Sequence, residues 1–309
     1  MSQTQPVSGG SSLPSLFYSP GQKRLRAGWR LAIQSLLLLA LGGCFSLSLF
    51  AALIALDPAL LTSFPILKPE HLLLAMIAET FAVTLSVFLA RRYLDGEPIE
   101  SLGLRLDGKS LPDVLAGFGI ALVQIGSLYL LMFGLGWISF EGFAWQTDPA
   151  GVVIRNSVIF LVVFLLGGWN EELLSRGYHL QTLASGINLF WGVVLSSLLF
   201  GILHLGNPGA GWQGAAGTFL AGIYLALGYI RTRQLWLPIG LHIGWNFFEG
   251  VVFGFPVSGL NIYTLLRIHV IGPEWGTGGA FGPEAGLLLL PSLLVGGALI
   301  LLYTRKRQG

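Results

Sequence analysis

The chain has 309 residues, 53% of them hydrophobic and only 10% charged, where a soluble globular domain carries about a quarter charged residues. Its charges are bunched between long uncharged runs, so they cannot cover the surface of a soluble fold, and the bilayer takes the place of water as solvent. A net charge of +2 is too small to point to nucleic acid, and the single Cys44 excludes a disulfide framework or a Cys-based zinc cluster.

Residues 1–27 open with a stretch rich in Ser, Gly, Pro and Gln and read as a disordered tail, leaving 28–309 as a single integral membrane domain. A transmembrane helix needs about 20 mostly apolar residues, and eight segments qualify as candidates. The first runs from Leu31 to Leu56. Its Leu41-Gly42-Gly43-Cys44 imitates a lipoprotein cleavage site, but the apolar run continues well past Cys44, as in an uncleaved span. His71 to Ala90 follows, with one acid, Glu79, and Val114 to Phe140 is the third. Between them Ile99 to Leu115 mixes leucines with charges, as expected of a segment lying along the membrane interface. A fourth helix starts near Gly151 and runs through Asn170, Glu171 and Glu172 to about Ala184. Asn188 to Leu205, Gly214 to Ile230, Trp236 to Phe255 and Ala285 to Thr304 complete the set, the last with Pro291 as a kink. The fold expected is all-α, a polytopic bundle of about eight membrane helices.

Cytoplasmic loops are enriched in Lys and Arg. With eight spans and an inside N-terminus, 14 of the 17 basic residues fall on the cytoplasmic side, and only Lys68, Arg155 and Arg267 fall on the other. Both termini are therefore expected in the cytoplasm.

Ionisable groups inside a bilayer are costly and usually face the bundle interior, so each is a functional candidate. Glu172 and Arg176 stand at i,i+4 and can pair on one helix face, while Glu171 points about 100° away and is free for another task. Phe200 precedes His204 by one helical turn. His242, Asn246 and Glu249 share a face of the seventh span, with a supporting role and pairing at the far surface equally open for Glu249. Glu79 reads as a partner for a neighbouring helix, and His179 as a solvated residue beyond Arg176. A hairpin at Gly186 sets Glu171 and His204 at similar heights, about 22–27 Å from the turn. His242 is only about 10 Å into its span, so the three meet only if the Gly186 hairpin projects beyond the cytoplasmic boundary. The breaker Gly206-Asn207-Pro208-Gly209 after His204 fits a wet or buried cavity there.

The combination Glu171-Glu172-x-x-x-Arg176, Phe200-x-x-x-His204 and His242-x-x-x-Asn246, in this order and within apolar helices, resembles the CPBP family of intramembrane proteases, which includes the CAAX prenyl endopeptidases. The resemblance covers roughly residues 150–255. It implies an endopeptidase that acts on a membrane-associated substrate, lipidated in the CAAX manner or not, since bacteriocin-processing and immunity proteins belong to the same family. A prokaryotic plasma membrane is the expected location, with membrane lipid and a membrane-anchored protein or peptide as partners. By the same resemblance Glu171 with His204 activates a water, His242 and Asn246 hold it or stabilise the tetrahedral intermediate, and Glu172 with Arg176 supports them. Glu171, His204 and His242 also make a His₂Glu set for Zn²⁺ with water as the fourth ligand. A metal-free glutamate mechanism uses the same residues, and both stand at this point.

The chain lacks His-Glu-x-x-His, Gly-x-Ser-Gly and Gly-x-Gly-Asp, which disfavours the zinc, serine and aspartate intramembrane proteases that those motifs mark. A proton- or cation-coupled transporter using the same acids and imidazoles is the rival from another class. A protease-like scaffold that binds without cleaving is the third reading.

Overall fold

The computed structural model describes residues 16–19, 24–56 and 68–307. Most of the expected tail therefore lies outside the described residues. Of its described part, Leu16 accepts a hydrogen bond from the Trp29 indole (3.2 Å) and Tyr18 bridges to Leu25, so this stretch runs back along the first helix.

The helices are α1 (Ala27–Leu56), α2 (Pro69–Leu89), α3 (Ser110–Gly134), α4 (Ala150–Glu172), α5 (Leu180–Gly186), α6 (Leu189–Leu203), α7 (Trp212–Thr232), α8 (Trp236–Asn246) and α9 (Leu289–Tyr303). The all-α polytopic bundle is thus as expected. Among the described residues six helical segments are long and apolar enough to cross a membrane, the longest being Ala150–Gly186 at 37 residues. At 1.5 Å per residue that segment is about 55 Å long, well beyond a hydrocarbon core of about 30 Å, so it extends past the core at one end or both. The seventh and eighth expected spans are shorter than that limit: α8 continues as a π-helical stretch only to Val252, and α9 has 15 residues.

The burial pattern is that of a membrane protein. Leu36, Leu39 and Leu47 of α1 and Leu294 and Leu302 of α9 face outward, while Gln34, Ser86, Gln124, Asn170 and Glu172 are buried. Lipid tails are as apolar as leucine, so apolar burial gives helices little reason to associate and close backbone packing takes over. This is clearest where α3 crosses α8. A Cβ on Gly240 would lie 2.1 Å from the Val114 carbonyl oxygen, and one on Gly117 would lie 2.4 Å from that of Leu237. Only glycine permits that approach, and it fixes the height of His242 in the bundle.

The two ends of the bundle differ. At one end, Asp95 pairs with Arg30 and with Arg91 (3.0 Å), and Arg30 reaches Ser185 (2.7 Å), which ties α1, the π-helical stretch after α2, and α5. At the same end Arg307 pairs with Asp113 and Arg231 donates to Thr304 (2.9 Å). These basic residues belong to the set that hydropathy places together. At the other end a two-stranded antiparallel ribbon joins β1 (Ile138–Phe143) to β2 (Leu266–Val270), with Ile138 opposite Val270. The third expected span had included Ile138 to Phe140. Backbone pairing with the distant Leu266–Val270 overrides the apolar run there. Asp148 anchors the ribbon by accepting from Arg267 (2.9 Å) and Tyr263 (2.8 Å), and these two donors hold its pKa below the usual carboxylate value.

Candidate active site

Four elements bring the site together. Glu171 and Glu172 end the α-helical part of α4, beyond which Leu173–His179 widen into a π-helical turn. Such turns are rare inside α-helices and gather at functional sites. Arg176 stands within this turn and still meets Glu172, its Nη1 donating to Glu172 Oε1 at 2.7 Å. Its Nη2 donates to the Gly222 carbonyl of α7 at 3.0 Å, and the guanidinium lies 4.6 Å above the Phe200 ring. Gly222 is small because Ser197 of α6 packs on it, 2.8 Å from where a Cβ would sit. The guanidinium is thereby satisfied by a carboxylate, a carbonyl and an aromatic face.

His204 follows the last turn of α6, where helix carbonyls lose their intrahelical donors. Its Nδ1 meets one of those carbonyls, that of Phe200, at 2.7 Å. A carbonyl can only accept, so Nδ1 carries the proton and Nε2 of the neutral ring is a lone pair. His242, one turn inside α8, sets its Nδ1 2.8 Å from Glu172 Oε1, and the carboxylate fixes the same tautomer. The Phe200 ring packs on both imidazoles, with centroids 4.6 Å from His204 and 6.1 Å from His242. Glu172 is therefore shared: one oxygen holds both Arg176 and His242.

Both Nε2 lone pairs face the same atom. Glu171 Oε2 lies 3.8 Å from His204 Nε2 and 3.7 Å from His242 Nε2, and has no hydrogen-bond partner. With both rings neutral, three acceptors converge with no donor between them, an arrangement that suits a water proton or a cation. This site opens on a cavity of about 160 Å³ lined by Glu171, His204, His242 and Asn246 among others. Glu172 and Arg176 do not line it. Every residue of the three motifs is thus either at the convergence, on the cavity wall, or directly behind it.

Two sequence readings need correction. His179 is buried, not solvated, with Nε2 3.4 Å from Gln34 Oε1, because α1 covers the face of the π-helical turn that was taken to project. Glu79 has no hydrogen-bond or ion-pair partner among the described residues and sits within electrostatic range of Glu171. Glu249 is wholly buried and meets Glu284, a residue with no motif around it, which lines the cavity. Ser258 and Asn207 line it too. Ser258 and Glu284 lie in the long connection between α8 and α9, whose course has no periodic signal.

The ligand set of two imidazoles and a carboxylate fits zinc in kind. Ligands of a tetrahedral zinc at about 2.1 Å stand about 3.4 Å apart, a few tenths less than the spacing here. No trio of His, Cys, Asp or Glu among the described residues is drawn together closely enough to hold an ion as it stands.

The family profile described as "Type II CAAX prenyl endopeptidase Rce1-like" matches residues 154–248. Among curated proteins, the Bacillus subtilis (strain 168) protein described as "Putative membrane peptidase YdiL" is 28% identical over 146 residues, 46% of this chain and 55% of that protein. The chain thus spans about half the length of this relative. No solved structure matches. The segment similar to the Rce1-like CAAX prenyl endopeptidases holds Glu171, Glu172, Arg176, Phe200, His204, His242 and Asn246, the residues of all three motifs.

Proposed function

We propose that this protein is an intramembrane endopeptidase that hydrolyses a peptide bond of a membrane-associated protein with a water activated by Glu171. The observation that carries this reading is the convergence of Glu171 Oε2 with the Nε2 lone pairs of His204 and His242 on the wall of a cavity. A water placed there donates one proton to Glu171 while His204 Nε2 orients it. Its oxygen attacks the carbonyl carbon, and the electron pair of the C=O bond moves to oxygen. The Asn246 carboxamide offers an N–H to that oxyanion. His242 does the same when protonated at Nε2, a form that Glu172 stabilises through Nδ1. Collapse of the intermediate breaks the C–N bond, and the proton held by Glu171 passes to the leaving amine. Comparative proteomics of membranes with wild-type protein and with Glu171→Gln tests the assignment: fragments unique to the wild type are expected, and identical fragment sets would remove the peptidase reading. A transporter would instead show ion-coupled flux in sealed vesicles without any cleavage product.

Glu171, His204 and His242 are the residues that would hold a zinc ion, which when bound lowers the pKa of a coordinated water toward neutrality. If the protein works through such an ion, chelation should remove both activity and metal content, and His242→Ala should lose metal as well. Activity that ignores chelators assigns the water to Glu171 and His204 alone. Metal analysis alongside a chelator titration separates the two.

The orientation proposed has residues 16–26 and 305–307 in the cytoplasm of a prokaryotic cell, since the end of the bundle that gathers Arg30, Arg91, Arg231 and Arg307 is the basic one. Reporter fusions at the two chain ends should both read as cytoplasmic. Opposite readings would make the number of crossings odd and displace the site from its depth.

A further inference from the structure

The outer wall of the cavity carries an acid that the mechanism above does not use. Glu284 lies in the tight turn before α9, and 5% of it is exposed. The turn is pressed onto α7 so closely that a Cβ on Gly217 would overlap the Glu284 carbonyl oxygen at 1.7 Å. Ser258 secures the carboxylate twice, through its backbone N–H (3.0 Å) and its hydroxyl (2.8 Å), and the Asn207 amide holds the Ser258 carbonyl at 3.0 Å. Glu284, Ser258 and Asn207 all line the same cavity as Glu171.

Behind Glu284 stands Glu249, fully buried, with neither carboxylate oxygen facing a donor within hydrogen-bond distance. The groups that meet it are the Glu284 carboxyl and the Trp245 indole. Two carboxyl groups near each other out of water do not readily both ionise. Of the two, Glu284 is the one whose carboxylate is held by donors, the N–H and hydroxyl of Ser258, whereas neither oxygen of Glu249 has one, so the charge is best held on Glu284.

Among the described residues, no Lys or Arg stands beside that charge on the cavity wall, and Arg176 is turned to Glu172, Gly222 and Phe200. His204 and His242 are the only lining groups able to become positive, and their Nδ1 protons are committed to Phe200 and Glu172. Buried charges within a membrane protein are normally paired. The rest of the wall, including Leu72, Met76, Phe160, Phe164 and Ile262, is apolar.

We propose that Glu284, backed by Glu249, forms a cation-accepting subsite of the cavity, so that the favoured substrate segment is apolar with a Lys or Arg near the cleaved bond. A segment bringing a carboxylate to that place meets two acids and no cation, and is disfavoured. The inference rests on the peptidase reading and names the substrate chemistry of the same site. Glu284 acts here as a substrate-positioning residue.

The test uses the full-length protein in detergent and end-blocked apolar decapeptides that differ at one central residue, Lys, Gln or Glu. Binding is measured on the Glu171→Gln protein, which leaves the peptides uncut. The Lys peptide should bind about tenfold more tightly than the Gln peptide, as for a charge-assisted hydrogen bond, and the Glu peptide least. Glu171→Gln/Glu284→Gln should lose the preference and Glu171→Gln/Glu284→Asp should keep it, which separates lost charge from lost fold. Equal binding of Lys and Gln peptides, or a preference that survives Glu284→Gln, overturns the proposal. So does a preference abolished by millimolar calcium or magnesium in a Glu284-dependent way, which would give the subsite to a metal ion. Cleavage of all three peptides alike by the wild type would defeat the subsite and leave the peptidase. A Glu284-dependent Lys preference without any cleavage would do the reverse.

Discussion

Glu171→Gln should lower peptide hydrolysis by about a hundred- to ten-thousandfold, the range of general acid–base catalysis, while leaving the thermal unfolding midpoint in detergent within experimental error of the wild type. The second half of that expectation is the more specific. Glu171 Oε2 accepts no hydrogen bond, and its nearest polar neighbours are two lone pairs at 3.7 and 3.8 Å. Replacing the carboxylate by an amide of the same shape breaks nothing, and it removes a negative charge from a cramped acceptor cluster. What it takes away is the base. A variant that unfolds several degrees lower would show that Glu171 has a structural partner the present geometry does not contain. Robust turnover would remove it from its role.

Glu172→Gln, one residue on, should behave differently, losing folding stability as well as activity. One carboxylate oxygen holds Arg176 at 2.7 Å and His242 at 2.8 Å, and both Glu172 and Arg176 are buried. Removing one partner of a buried ion pair leaves an uncompensated charge and costs about 3–5 kcal/mol. The Gly222 carbonyl and the Phe200 face offset part of this, since they continue to satisfy the guanidinium. The amide also fails to fix the His242 tautomer reliably, because it presents a donor as readily as an acceptor. Expression level and thermal unfolding in detergent should therefore fall together with activity. The double variant Glu172→Gln/Arg176→Met should recover stability, because an apolar replacement of a buried pair is often neutral, but it should not recover activity. Recovery of both would reduce the pair to a structural clamp with no bearing on His242.

The contrast between two adjacent glutamates shows what could be read without coordinates. Glu172 and Arg176 at i,i+4 are legible as a pair from spacing alone, and Glu171 as the residue left over, because helix geometry puts neighbours about 100° apart. The all-α bundle, most span positions and the clustering of basic residues at one end follow equally from composition and hydropathy, since a bilayer forces backbone hydrogen bonds into helices and makes every internal charge conspicuous. The matching heights of Glu171 and His204 follow from counting residues on either side of Gly186.

What depended on tertiary structure is whatever is settled between segments far apart in the chain. The sharing of Glu172 between Arg176 and His242 depends on α8 sitting at one height, which the backbone contacts of Gly117 and Gly240 with their opposite helices set. The ribbon of β1 and β2 joins residues 138–143 to 266–270, and no local pattern announces a pairing over that distance. His179 was misread because α1, distant in sequence, covers it. Glu284 was invisible for the same physical reason. A lone acid in an irregular connection has no periodicity to betray it, and it becomes a cavity wall only when Gly217 lets its turn press against α7.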